Sequence, residues 1–201
     1  MKTLILRLRT PILLAAAALM AAAIMLPLWG MTLVSTQYPE GLRMVVYPGR
    51  IVGDLAEINA LNRYIGMTPI SGDFFVELRL LPIAFGAVAA LIAGSALVKR
   101  RWAPLLPLLA MMTVAAYGFV SMRSRLYQFG HDLDPAAPIT IEPFTPPMIG
   151  LNQIAQFASY TYFSWGTVLP LVAGILVALV LWAGWRRPEG LRAQPVLALA
   201  A

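Results

Sequence analysis

Four runs of apolar residues, each bounded by charge or by turn-forming residues, divide the chain. The first extends over about 11–34 and follows Lys2, Arg7 and Arg9. The second covers about 80–98 and stops at Lys99-Arg100-Arg101, and the third covers about 102–122 and ends before Arg123 and Arg125. The fourth covers about 166–185 and is closed by Arg186-Arg187. A helix needs about 20 apolar residues to cross a hydrocarbon core about 30 Å thick, and each run meets that length. The pattern predicts an all-α membrane protein, a single membrane domain over 1–201 built as a four-transmembrane-helix bundle. Two ordered extracytoplasmic loops, about 35–79 and 123–165, carry short amphipathic helices and a short β-hairpin.

Within the first loop the periodicity changes twice. Leu42 to Val52 reads as short strands broken at Pro48-Gly49, a turn dipeptide. Asp54 followed by Glu57 fits an N-cap and its capping-box partner. Leu55, Ile58, Leu61 and Ile65 then recur at helical spacing, with Gly66 placed to stop the helix. An amphipathic helix over about 55–65 follows. In the second loop, Pro138, Pro143, Pro146 and Pro147 hold an extended path, and Leu151 to Phe157 is a second short helical candidate.

Composition agrees with a membrane location: 60% of residues are hydrophobic, 12% are charged, and mean hydropathy is +0.76. An ordinary soluble domain carries about twice that share of charge. The net charge of +6 comes from basic clusters flanking the apolar runs. It forms no basic stripe interleaved with aromatics, so it reads as topology and not as a nucleic-acid surface. Of the nine acidic residues, all but Glu189 fall in the two loops. Lys and Arg excess marks the cytoplasmic side. Both termini and the 99–101 turn are therefore expected in the cytoplasm of a bacterial inner membrane, with the loops periplasmic. The first run is longer than a signal-peptide core and leads into Leu26-Pro27-Leu28-Trp29, which reads as an uncleaved anchor.

Candidate chemistry is sparse. No cysteine is present, which removes disulfides, thiolate metal sites and covalent haem attachment. A single histidine excludes a bis-histidine haem. The middle of each run carries no ionisable residue, against what ion paths and proton relays require. One candidate metal ligand is His131, beside Asp132 and Asp134, with Met44, Met67 and Met148 as soft donors of the kind copper accepts. The competing reading is an ordinary turn, with Asp bonding local amides and Pro135 ending it.

The loop motifs Tyr38-Pro39-Glu40-Gly41-Leu42, Glu57-Ile58-Asn59, Leu61-Asn62, Tyr64-Ile65-Gly66-Met67, Gly130-His131, Leu133-Asp134-Pro135, Pro146-Pro147, Gly150 and Gln153-Ile154 carry a likeness. Together they resemble a bacterial family of four-span membrane proteins found near genes for copper lipoproteins of nitrous-oxide-reductase maturation. The resemblance covers both loops and the order of spans. The family usually has a histidine between Asn62 and Tyr64, and if it binds copper through that imidazole together with His131, this chain has lost half of the site. This chain has Arg63 there, which stays protonated and cannot ligate a metal. Arg63 could instead make a bidentate pair with Asp132, Asp134 or Glu57, turning a ligand set into a structural clasp.

Two functions are expected from these features, neither of them enzymatic. One is a non-catalytic accessory subunit of a larger membrane electron-transfer complex, respiratory or photosynthetic, packed in the bilayer beside other membrane subunits with no cofactor of its own. The alternative is a copper-handling or metalloenzyme-maturation protein with a loop metal site at His131.

Overall fold

The computed structural model describes residues 2–71, 75–154 and 157–185. Helices α1 (Lys2–Arg7) and α2 (Arg9–Ala22) lead through a 3-10 turn, Ala23–Met25, into strand β1 (Trp29–Val34). Strands β2 (Leu42–Tyr47) and β3 (Arg50–Gly53) form a hairpin, followed by α3 (Leu55–Tyr64), α4 (Val76–Leu97) and α5 (Leu105–His131). Strands β4 (Gly150–Ile154) and β5 (Phe157–Phe163) then precede α6 (Trp165–Trp185).

Three helices, Glu77–Leu97, Leu105–His131 and Trp165–Trp185, are long and apolar enough to cross a bilayer. The chain is a membrane protein, but its architecture is mixed α/β, which overturns the expected all-α bundle of four spans. The first run is where that expectation fails. Its apolar helix covers only Arg9–Met25, about 26 Å at 1.5 Å per residue. Pro27 holds Leu26 in the extended region, at φ −105° and ψ 150°. From Trp29 the same apolar run continues as a strand. Hydropathy alone does not separate a buried strand from the end of a span. The Arg186-Arg187 pair and the basic tail expected to close the fourth span lie outside the described residues.

In the bundle, α2 lies against α4 and α6. Leu13, Ala16 and Met20 meet Val88, Ile92, Ala173, Val177 and Val180 in one buried cluster. Alanine at the contact positions lets these backbones approach closely, which favours dispersion where lipid supplies no hydrophobic drive. The 99–104 turn is tied down from the other side. Arg9 Nη2 donates to the carbonyls of Ser95, Val98 and Arg100 at 3.1, 2.8 and 3.0 Å. These carbonyls lie at and just beyond the α4 C-terminus, so the guanidinium serves as its cap.

The five strands form one antiparallel sheet in the order β3-β2-β1-β5-β4. Its central strand places Trp29 opposite Val46 and Phe163, and Met31 opposite Met44 and Thr161. Side chains at these positions share one face, which turns toward the bundle. There Trp29, Leu42, Met44, Ile58, Leu61, Ile70 and Phe129 make a second buried cluster joining the sheet to α3 and the end of α5. Gly30, Val45, Val52 and Tyr162 occupy the opposite face. The Tyr162 ring lies across Gly30, where a Cβ would sit 2.6 Å from its Cζ.

The hairpin predicted across Pro48-Gly49 is present as β2 and β3, and the amphipathic helix predicted over 55–65 is present as α3. Asp54 occupies the N-cap position without making the expected cap bond. Its Oδ2 accepts instead from the Arg43 amide at 2.8 Å, fastening the helix start to β2. Gly66 ends the helix at φ +77°, a left-handed conformation that glycine adopts without a Cβ penalty.

The second loop differs more. The expected helix over Leu151–Phe157 is instead strand β4 and the start of β5, with Leu151 opposite Tyr160, while Ala155 and Gln156 lie outside the described residues. Alternation of Phe157, Ser159, Thr161 and Phe163 against Tyr160 and Tyr162 is a strand signature, and its pairing with β1 outweighs helical spacing. In addition, α5 runs nine residues past the expected end at Met122. Arginine does not terminate a helix, and the first proline after Met122 is Pro135; Gly130 lies in the last turn, one residue before the helix ends at His131.

Candidate functional site

The sequence candidates sit at the sheet end of the bundle but converge on no metal centre. His131 is the last residue of α5. Its exposed ring stacks on Tyr127 at 3.8 Å between centroids, and Nδ1 lies 3.0 Å from the Tyr127 carbonyl oxygen. Asp132 is exposed, and Asp134 Oδ1 accepts from the Ala136 amide at 2.9 Å, a local turn contact. Glu57 and Arg63 are both exposed on α3. Among the described residues, no group of three His, Asp or Glu side chains is placed to hold a metal ion. Nor does an ion pair join Arg63 to Glu57, Asp132 or Asp134 there. The two loops are held together by main chain instead: the Asp134 amide donates to Gly66 O at 2.8 Å and the Ile139 amide to Tyr64 O at 3.0 Å.

The prominent concavity lies between the sheet and the spans. It is a cavity of about 740 Å³, roofed by the bundle-facing side of the sheet at Trp29, Met31 and Met44. Its walls come from α4, α5 and α6. Leu108, Met111, Ala115, Gly118, Met122, Arg125 and Phe129 all line it. They recur at three- and four-residue spacing, so one continuous face of α5 forms the wall. Met112, Tyr117, Phe119, Leu171 and Ile175 line it too, yet are exposed on the bundle surface. The cavity therefore opens sideways between α5 and α6, on the surface that faces hydrocarbon.

Seven of the ten methionines, Met20, Met31, Met44, Met67, Met111, Met112 and Met122, line this space. Thioether side chains are unbranched and polarizable, and they suit flexible apolar ligands of irregular outline. Met44 and Met67 thus belong to an apolar wall. Met148 contributes its carbonyl, which accepts from Trp29 Nε1 at 2.8 Å and pins the proline-rich segment to the sheet.

One charged pair interrupts the apolar lining. Arg125 donates to Glu77 Oε1 through Nη2 at 2.7 Å and Nε at 3.1 Å, and Ser121 Oγ donates to the same oxygen at 3.1 Å. Arg125 Nη1 also donates to Gln128 Oε1 at 3.3 Å. Glu77 stands in the first turn of α4, where a negative charge complements the helix dipole. Glu77 and Arg125 fall in different expected loops, 48 positions apart, so their pairing is not visible in the sequence. The available signal was Ser121 and Arg125 at i and i+4 on one helix face. The two charged side chains are 27% and 22% exposed, between the surface and fully buried cases. A double-mutant cycle of Glu77→Gln and Arg125→Gln, read by thermal unfolding in detergent, is expected to give a coupling of about 1–2 kcal/mol. A coupling indistinguishable from zero would mean that the pair is merely solvated.

No family model, no curated protein and no solved structure matches this chain.

Proposed function

We propose that this membrane protein is a non-catalytic binding protein for a long-chain amphiphile, which it takes from the bilayer and holds beneath its sheet. The observation that carries the reading is the sideways-opening cavity. Its volume falls within the roughly 300–1,000 Å³ of small-molecule sites, and among the described residues its lining is apolar apart from the pair at Glu77 and Arg125 and a few hydroxyl and amide groups. A molecule with a polar head and an apolar tail matches that division, with the head at the charged pair and the tail along α5. The basic turn at Lys99-Arg100-Arg101 favours a cytoplasmic location for that end. The sheet and the charged pair then lie at the outer headgroup level.

Gly118 supplies the test. It lines the cavity, and a Cβ built there meets nothing within 4 Å. Gly118→Trp is therefore expected to fill the cavity without a backbone clash. The wild-type protein should carry a stoichiometric amphiphile through purification, detected by mass spectrometry of the organic extract. The variant should lose at least nine-tenths of it while unfolding at the same temperature or higher. A wild-type protein carrying no amphiphile above the level of bulk detergent-solubilised lipid would sink this reading.

A second reading, an accessory subunit of a larger membrane complex, is favoured by α5. That helix is the least covered of the three spanning helices. Leu106, Leu109, Met112, Phe119 and Val120 are all exposed along it. Side chains on a neighbouring subunit's helix would add packing there. Purification in mild detergent is expected to retain a partner under this reading, and a chain that remains alone and monodisperse counts against it.

A further inference from the structure

At the end of the bundle remote from the sheet lies a separate pocket of about 270 Å³, lined by Leu6, Arg9, Lys99, Arg101, Val180 and Gly184. We propose that it binds a phosphate-bearing anion, and specifically the headgroup of an anionic phospholipid. The pocket shares no lining residue with the sheet-side cavity.

Among the described residues, three cations and no carboxylate line this pocket. They come from distant parts of the sequence, and the fold holds them together. Arg9 is fixed by the three carbonyls it caps, all through Nη2. Its Nε is buried and has no hydrogen-bond partner, a donor whose desolvation an anion would offset. Lys99 and Arg101 are carried on a turn closed by hydrogen bonds from Ala103 N to Arg100 O and from Leu105 N to Trp102 O. That turn is anchored further: the Arg101 guanidinium lies 5.5 Å over the Trp102 ring, and Trp102 packs edge-on against Trp185 at 4.5 Å. Like charges gathered in one pocket repel, and a phosphodiester removes that repulsion. Arginine offers it a planar fork of donors and lysine a point charge.

The walls identify the source of the phosphate. Leu6 and Val180 are apolar and belong to α1 and α6, so the pocket has a basic rim and an apolar side. A soluble phosphate compound needs only the rim. A phospholipid uses both, with its phosphate among the cations and the first carbons of its chains against the helices. Basic pockets between helices at a membrane surface recognise anionic headgroups on this principle.

The test uses the purified full chain in a neutral detergent at fixed ionic strength. It compares dioctanoyl phosphatidylglycerol, dioctanoyl phosphatidylcholine and glycerol phosphate by thermal shift and native mass spectrometry. Phosphatidylglycerol is expected to raise the unfolding temperature and remain bound, and the zwitterionic lipid is not. Because Arg9 variants disturb the α4 cap, the cations to remove are Lys99→Gln and Arg101→Gln together. This double variant should bind phosphatidylglycerol at least tenfold more weakly, with each protein's lipid response read against its own unfolding temperature without lipid. In the Gly118→Trp background, the response to phosphatidylglycerol should persist. An equal response to phosphatidylcholine, or full binding by the double variant, would overturn the proposal. Stabilisation by glycerol phosphate equal to that by phosphatidylglycerol would overturn the assignment to lipid.

Discussion

Gly130→Ala is expected to lower the unfolding temperature by roughly 4–8 °C, corresponding to about 2 kcal/mol in a chain of this size. The sign is the informative part. Within a helix, alanine is favoured over glycine by about 1 kcal/mol, and Gly130 lies inside α5. At this position, however, a Cβ would fall inside the van der Waals sphere of the Phe144 carbonyl oxygen and close to Pro146. The Phe144 amide also donates to Gly130 O at 3.0 Å, so the proline-rich segment lies directly against the helix. The obstacle is backbone and cannot swing aside as a side chain would. Gly94→Ala is the matched comparison, because a Cβ there meets nothing within 4 Å and the change should be neutral or slightly stabilising. Equal shifts for the two variants would show that the segment does not rest on α5.

Arg9→Ala is expected to cost about 2–4 kcal/mol, since it leaves three carbonyls around the α4 C-terminus without their charged donor. The loss should appear as a lower unfolding temperature and as protease sensitivity at the 98–104 turn, where Val98 and Arg100 are bonded directly. All three bonds come from one nitrogen. An ammonium placed near the same point could make the same set, so Arg9→Lys should recover about half of the lost stability. If Arg9→Ala unfolds with the wild type, water serves these carbonyls equally well and the cap is incidental.

The limits of the sequence follow from the range of its signals. Helices α4 and α6 were legible because hydropathy is a local property, and so were the hairpin at Pro48-Gly49 and α3 with its stop at Gly66. Strands β1 and β5 were not. Trp29–Val34 is as apolar as the helix before it, and its outer partner, Ala158–Phe163, lies more than a hundred residues away. The same applies to the cavity. Glu77 and Arg125 are 48 positions apart and look like unrelated loop charges until α4 and α5 extend far enough to bring them together. His131, the most conspicuous residue in the sequence, ends a helix and stacks on its own neighbour one turn back.

The pairing of β1 with β5 also sets an order of events during synthesis. Strand β1 meets β2 almost at once, but its other flank waits for a strand that ends at Phe163, 129 residues beyond Val34. At about 5–20 residues per second, that interval lasts roughly 6–26 s. Throughout it, β1 presents an open edge of unpaired amides and carbonyls, a template for mispairing, while α4 and α5 are still entering the membrane. Because β5 runs almost directly into α6, the sheet closes only as the last span arrives. A chain stalled before that point would carry the three-stranded sheet β3-β2-β1, with β1 left as an open edge.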